Sequence, residues 1–180
     1  MYSLIAGNNE NCLKVFAFEP VPTTAGILTK NIGANNLGRK SEVHAKAISN
    51  ENACHKIYIN LEHSGATSID QVTSESQSSQ AVDIETVNSS YLDELTIPKD
   101  VDIVIKVDVE GYEKVVIEQL MQTGFLHNIN TIYYEYDTKI QDDMNTIEVL
   151  LKQNDFTNFF EVKDEGVKDV FNMLSVKNTC

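Results

Sequence analysis

Cysteine is scarce in this chain of 180 residues, which contains only Cys12, Cys54 and Cys180. An odd number of cysteines without a Cys-x-x-Cys pair argues against a disulfide framework and against a zinc site. The histidines do not change this conclusion, because the closest two, His55 and His63, lack the spacing of a recognised metal site. We therefore expect no metal centre.

Long apolar runs are also missing. No segment approaches the roughly 20 apolar residues that a membrane-spanning helix needs. The N-terminal segment Met-Tyr-Ser-Leu-Ile-Ala-Gly has no basic region and is too short for a signal peptide. These features predict a soluble, cytoplasmic protein.

Basic residues are few, because 14 Lys and Arg stand against 27 Asp and Glu, for a formal net charge of -13. A surface this acidic repels phosphate backbones and anionic lipids, so nucleic acids and membranes are poor partners. We expect a small-molecule, sugar or carrier-bound substrate instead. The oligomeric state does not follow from the charge.

The apolar content of 42% is enough for one substantial core, and the length predicts a single domain over residues 1–180. The only biased stretch is polar and covers residues about 68–83. It has little apolar periodicity, so we expect an exposed loop within the domain.

Short apolar runs alternate with helical patterns on both sides of that stretch. The predicted strands are Leu13–Glu19, Val43–Ile48, Lys56–Leu61, Val82–Val87, Val101–Val107, Thr131–Tyr136, Phe156–Val162 and Asn172–Val176. The predicted helices run from Thr23 or Thr24, as the cap, to about Leu37, from Tyr112 to Thr123 with Gly124 as the C-cap, and from Asp143 to about Asn154.

This alternation is typical of an α/β fold, and it predicts a Rossmann-like, doubly wound, mostly parallel sheet that ends in an antiparallel pair. In such sheets ligands bind outside the carboxyl ends of the strands. The residues that follow each strand are therefore the candidates for chemistry.

Glu19 follows the first predicted strand. A carboxylate at this position can accept hydrogen bonds from both hydroxyls of a ribose. It can equally be an acid at the start of a helix, where the helix dipole favours negative charge. Glu19 alone leaves both interpretations open, and it does not distinguish a nicotinamide cofactor from other nucleosides.

Lys106, Asp108 and Glu110 lie where the strand Val101–Val107 ends, and Gly111 follows them. Residues at alternate positions of an extended chain point to one face, so these three charges can pair with each other or with a ligand. Gly111 permits a turn that a side chain would obstruct. The structural alternative is that Asp108 caps the next helix while Lys106 pairs with Glu110.

The segment Ile105–Glu113 resembles the I-K-x-D-x-E-G-x-E signature of FkbM-family methyltransferases, and Val15–Pro20 resembles the V-x-A-F-E-P strand of that family. Further similarities follow in the family's order along nearly the whole chain. They are the asparagine-rich helix with Asn31, Asn35 and Asn36, the strand His44–Ser49, the turn Ser64–Ser68, the stretch Ile84–Val87 with Tyr91–Leu95, and the strand Tyr133–Tyr136.

The resemblance implies a class I methyltransferase fold and a cofactor, S-adenosyl-L-methionine. It implies that Glu19 binds the ribose and that Ser49 and Asn50 lie near the adenine. Asp108 and Glu110 become candidates for a general base or for orienting the acceptor, with Lys106 as an electrostatic support. The implied reaction is methyl transfer to the hydroxyl of a small molecule or a sugar.

The chain departs from the family at its start. The family opens with a strand ending in D-x-G-A-N-x-G and then a helix near Y-S-L, whereas here Tyr2-Ser3-Leu4 already resembles that helix. Gly33-Ala34-Asn35 falls in a predicted helix and is not this loop. We therefore expect a version that lacks the first strand, which the resemblance places between the strands ending at Glu19 and Asp108.

Two other functions remain. A nicotinamide-dependent oxidoreductase also uses an acid such as Glu19, but it requires a G-x-G-x-x-G loop that this sequence does not contain. A catalytically inactive, methyltransferase-like binding domain would show the same motifs without turnover.

Overall fold

The computed structural model of the chain describes residues 1–60, 79–109, 111–137, 141–162 and 170–177. Its helices are α1 (Tyr2–Asn8), α2 (Pro22–Ala34), α3 (Ser89–Leu92), α4 (Glu113–Leu120) and α5 (Gln141–Lys152). Its strands are β1 (Val15–Phe18), β2 (Ser41–His44), β3 (Lys46–Ile48), β4 (Ala53–Asn60), β5 (Ser79–Val87), β6 (Ile103–Val107), β7 (Ile129–Asp137), β8 (Phe156–Val162) and β9 (Val170–Lys177).

Strands and helices alternate as the sequence predicts, but the sheet is divided. The described strands form three sheets, ordered β1-β2, β3-β5-β4 and β6-β7-β9-β8. The pairs β1/β2, β3/β5 and β6/β7 are parallel, whereas β4/β5, β7/β9 and β8/β9 are antiparallel. The fold is therefore a mixed α/β fold with small sheets, and the single doubly wound sheet is not observed.

The division of the sheet coincides with a break in the predicted strand Val43–Ile48. This segment breaks at Ala45 into two strands with different neighbours, because β2 pairs with β1 while β3 pairs with β5. The predicted C-terminal antiparallel pair is confirmed as β8 and β9. Residues 79–83 belong to β5, so the polar stretch is shorter than predicted there, and residues 61–78 lie outside the described ranges.

Strands β1 and β6 are both edge strands of their sheets within the part of the chain that the structure describes. The side chain of Val104 on β6 is correspondingly 71% exposed, which is high for an apolar strand residue. The expected lack of a strand between β1 and β6 stays a prediction.

Most of the core lies around α4, β6 and β7. Its fully buried members include Ile117, Ile132 and Tyr134, and Val116 and Leu120 point inward as predicted from the spacing of α4. A second, smaller cluster contains Ala47, Ile57 and Ile84. No helix of the described residues is long and apolar enough to cross a membrane.

Two predicted helix boundaries are wrong. Helix α2 begins at Pro22 with Val21 as its N-cap, and no threonine side chain caps it. Proline suits the first helical position because its missing N–H would have no partner there. At the other boundary α4 ends at Leu120, and the backbone N–H of Gly124 donates to Asp93 Oδ1 at 2.8 Å instead of forming the C-cap.

Candidate functional site

The ends of three strands lie around one core. Each of these strands, β1, β3 and β6, is parallel to a neighbour in its own sheet. Phe18 at the end of β1, Ile48 at the end of β3 and Val109 after β6 all pack against the larger core cluster. These residues adjoin Glu19, Ser49 and Asp108, respectively. The fold therefore places three of the predicted strand ends around the same group of apolar side chains.

Glu19 is held by the start of α2 and by the neighbouring strand. Its Oε1 accepts a hydrogen bond of 2.9 Å from the backbone N–H of Val21, and its own N–H donates to the carbonyl of His44. Burial raises the pKa of Glu19 above its usual range, and the bond from Val21 opposes that rise. Because this bond serves the N-cap of α2, the helix-start interpretation is part of what Glu19 does.

Lys106 and Asp108 form an ion pair at the end of β6. Lys106 Nζ lies 2.9 Å from Asp108 Oδ2, and the side chains are 18% and 41% exposed. The same ammonium group lies 4.5 Å from the ring centroid of Tyr2 and 4.9 Å from that of Tyr133. Two of the three predicted catalytic residues are therefore in contact, and Glu110 lies outside the described residues.

The Ser49 side chain is used within the protein. Ser49 is buried, and its Oγ lies 3.0 Å from Tyr112 Oη. The same hydroxyl can donate to Asn50 Oδ1 at 3.3 Å. When Ser49 donates to Asn50, the Tyr112 hydroxyl must donate to Ser49, since each hydroxyl has one proton. The contact joins the end of β3 to the start of α4, whereas Asn50 is exposed.

Glu113 shapes the turn after Asp108, a role that the sequence reasoning did not assign. It is buried at the start of α4, and its Oε1 accepts bonds from the backbone N–H groups of Val109 and Gly111, at 3.3 and 3.2 Å. Gly111 has a φ of 96°, which favours glycine. The sequence did contain a signal for this role, because an acid that begins a helix can accept hydrogen bonds from backbone N–H groups that have no other partner.

Replacing Glu113 with alanine should therefore loosen this turn and destabilise the protein. Two part-buried backbone N–H groups lose their acceptor, and a donor left unsatisfied costs about 1–3 kcal/mol when fully buried, which sets the upper limit here. A thermal unfolding experiment should show Tm lowered by roughly 2–10 °C for a chain of this size. Glu118→Ala on the same helix is the control, and an equal loss in both variants would contradict the role of Glu113.

A second polar group lies beside Glu19. The ring of His44 stacks on Phe18 with centroids 4.6 Å apart, and its Nδ1 lies 3.0 Å from Tyr91 Oη. Its Nε2 lies 3.3 Å from Glu42 Oε1 without hydrogen-bond geometry. Burial lowers the pKa of His44; Glu42 opposes this, and Lys46 and Lys14 reinforce it.

His44 should make the stability of this region depend on pH. Because its folded pKa lies below the unfolded value of about 6.5, the unfolded chain binds the proton more tightly. The stability that neutral His44 contributes to the folded protein is complete above about pH 6.5. It is lost as the pH falls from there towards the folded pKa, by at most about 1.4 kcal/mol per pH unit.

Thermal unfolding at pH 7.5 and 5.5 tests this dependence. The wild type should lose more Tm between these pH values than His44→Gln does, while His127→Gln at an exposed position should behave as the wild type. Equal losses in the wild type and in His44→Gln would contradict the assignment.

An open cleft of about 370 Å³ lies beside α3. It is lined by residues that include Lys46, Cys54, Glu85 and Tyr91, and it contains none of the six predicted site residues. We give more weight to the strand ends, where the motif residues make specific polar contacts. In the described ranges no three His, Cys, Asp or Glu side chains are grouped to hold a metal ion.

A mixed α/β fold with charged residues at its strand ends is compatible with a methyltransferase. The family model described as "Methyltransferase FkbM domain" matches residues 2–158. This match covers more than half of the chain, so the chain belongs to the FkbM methyltransferase family. Searches of curated proteins and of solved structures each gave no match.

Proposed function

We propose that the protein is an S-adenosylmethionine-dependent methyltransferase that acts on a hydroxyl of a small molecule or sugar. The observation that carries the proposal is the arrangement of Glu19 and the Lys106–Asp108 pair at strand ends around one core, in a chain of the FkbM family. The class I methyltransferase fold belongs to the same proposal.

The environment of Glu19 suits a ribose. Its carboxylate is partly buried at a strand end, and among the described residues the only hydrogen bond to it comes from Val21 N–H to Oε1. Burial makes a charged carboxylate costly unless it receives hydrogen bonds. Two ribose hydroxyls would provide such bonds, so Glu19 would hold this part of the cofactor.

The adenine side of the proposal is changed by the structure. Ser49 already uses its hydroxyl in contacts with Tyr112 and Asn50, so it would position the end of β3 more than it would bind a ligand directly. Asn50 is exposed beside it and keeps amide N–H donors. Asn50 is therefore the better candidate for direct contact with the base.

S-adenosylmethionine, when bound, supplies an electrophilic methyl group on a sulfonium. Asp108 would accept the proton of the acceptor hydroxyl, and its exposure of 41% leaves its carboxylate accessible to a substrate. Lys106 would hold the carboxylate in place. The net charge of -13 favours a neutral acceptor over a phosphorylated one.

A methyl-transfer assay tests the proposal. The purified chain is incubated with S-adenosylmethionine labelled in its methyl group and with a panel of neutral sugars and small hydroxylated molecules. We expect label in a product of at least one acceptor, and a rate of labelling that is lower by roughly 10²–10⁴-fold with Asp108→Asn. Label transfer that is equal in the wild type and in Asp108→Asn would remove Asp108 from the mechanism.

The second candidate is a methyltransferase-like domain that binds without catalysis. The observation in its favour is that none of the six predicted site residues lines the cleft of about 370 Å³ beside α3. Binding of S-adenosylhomocysteine without label transfer to any acceptor would support this candidate.

A further inference from the structure

We propose that Tyr2 and Tyr133 are positioning residues whose rings hold the Lys106 ammonium group, and that this keeps Asp108 in one orientation at the end of β6. The inference deepens the proposed function, because it rests on Asp108 as the group that faces the acceptor. It concerns two residues that have no other assigned role in the site.

Three attractive contacts to Lys106 come from the described residues. The ammonium group has one aromatic ring at 4.5 Å, a second at 4.9 Å and a carboxylate oxygen at 2.9 Å. Both ring distances lie within the 6 Å range of a cation–π interaction. The Lys106 side chain is accordingly only 18% exposed although it lies on an edge strand.

The ion pair alone would not fix Asp108. A partly exposed ion pair stabilises little, and a lysine side chain loses rotamer entropy when it is held in one conformation. Each cation–π contact adds an attraction that grows as the cation is removed from water. The two rings can therefore offset the loss of rotamer entropy that the ion pair alone does not compensate.

The two rings come from elements of different kinds. Tyr133 is the register partner of Lys106 in the parallel pair of β6 and β7, so the sheet fixes its position. Tyr2 lies on α1, outside the sheets, and is 51% exposed. Helix α1 also packs against β1, the strand that precedes Glu19. It therefore contacts β1 and also supplies one side of the Lys106 site.

Chemical modification of Lys106 tests the ring contacts without any assay of activity. The chain is treated briefly with sulfosuccinimidyl acetate, and acetylation of Lys106 is measured by peptide mass spectrometry relative to the exposed Lys30. Loss of one ring contact of about 1 kcal/mol should raise the relative acetylation of Lys106 about fivefold in Tyr2→Leu. Tyr2→Phe keeps the ring and should stay within about twofold of the wild type.

The control is Ile5→Ala, which truncates another exposed apolar side chain of the same helix. It should leave acetylation of Lys106 unchanged. Acetylation in Tyr2→Leu that equals the wild type would overturn the inference. The same holds if Tyr2→Phe behaves as Tyr2→Leu, or if Ile5→Ala gives the same increase.

The effect on Asp108 needs a spectroscopic signal. In carbon-13 NMR the side-chain carboxyl resonance of Asp108, assigned with Asp108→Asn, should move in Tyr2→Leu. It should stay at its wild-type position in Tyr2→Phe and in Tyr133→Phe, which keep the aromatic rings. A resonance that stays at its wild-type position in Tyr2→Leu would contradict the positioning role.

Calorimetry with S-adenosylhomocysteine on the same variants separates this inference from the proposed function. Absence of binding in every variant, wild type included, would count against the cofactor proposal. The acetylation of Lys106 would still test the contacts with the rings of Tyr2 and Tyr133.

Discussion

Replacement of Glu19 by glutamine should weaken S-adenosylhomocysteine binding by roughly 10- to 100-fold, since hydrogen bonds to a charged group contribute about 1.5–3 kcal/mol. Glutamine keeps an oxygen for the Val21 N–H but loses the second carboxylate acceptor and the charge. Isothermal titration calorimetry measures the change. Glu10→Gln, at an exposed position on the loop after α1, should bind as the wild type.

The same replacement should make the free protein slightly more stable at neutral pH. Because burial raises the folded pKa of Glu19 above 4.5, the folded chain binds this proton more tightly than the unfolded chain does. Ionised Glu19 therefore costs stability above its folded pKa, and the cost disappears as the pH falls through that value. Solvent screening keeps the effect small, so we expect Tm of Glu19→Gln to rise by on the order of 1 °C at pH 7.

A smaller Tm difference between the wild type and Glu19→Gln at pH 5 than at pH 7 would support this cause. A variant that loses both stability and cofactor binding would instead indicate that Glu19 only supports the start of α2.

Replacement of Asp108 by asparagine should lower the rate of methyl transfer by roughly 10²–10⁴-fold, which is the usual contribution of a general base. Asparagine has nearly the same shape but cannot take the proton of the acceptor hydroxyl. S-adenosylhomocysteine affinity should stay within about threefold of the wild type, because Asp108 acts on the acceptor and not on the ribose. The rate is measured as formation of S-adenosylhomocysteine in the presence of an acceptor that takes up the labelled methyl group in the assay above.

Asp102→Asn is the matched control, since it changes an exposed acid near the other end of the same strand. It should leave both rate and affinity unchanged. An Asp108→Asn variant that keeps the wild-type rate would show that another group takes the proton.

Much of the candidate site could be predicted because it depends on local sequence. Strand β6 with Lys106 and Asp108 at its end follows from an apolar run that becomes charged, and side chains two apart on a strand share a face. The prediction that Gly33-Ala34 belongs to a helix is confirmed, because α2 extends to Ala34.

The contacts between distant segments could not be predicted in this way. The approach of Tyr2 to Lys106 depends on how α1 packs, and the bond between Ser49 and Tyr112 joins the end of β3 to the start of α4 across 63 residues of chain. The break at Ala45 is likewise set by the neighbours of β2 and β3, since each strand pairs with a different partner. Local patterns contain no information about such partners.

Calorimetric titration of the purified 180-residue chain with S-adenosylhomocysteine tests the central claim most directly. The proposed ribose contact at Glu19 predicts one site with micromolar affinity in the wild type, and weaker binding in Glu19→Gln. No detectable binding to the folded wild type, or equal affinity in both proteins, would contradict the claim that these strand ends form a cofactor site.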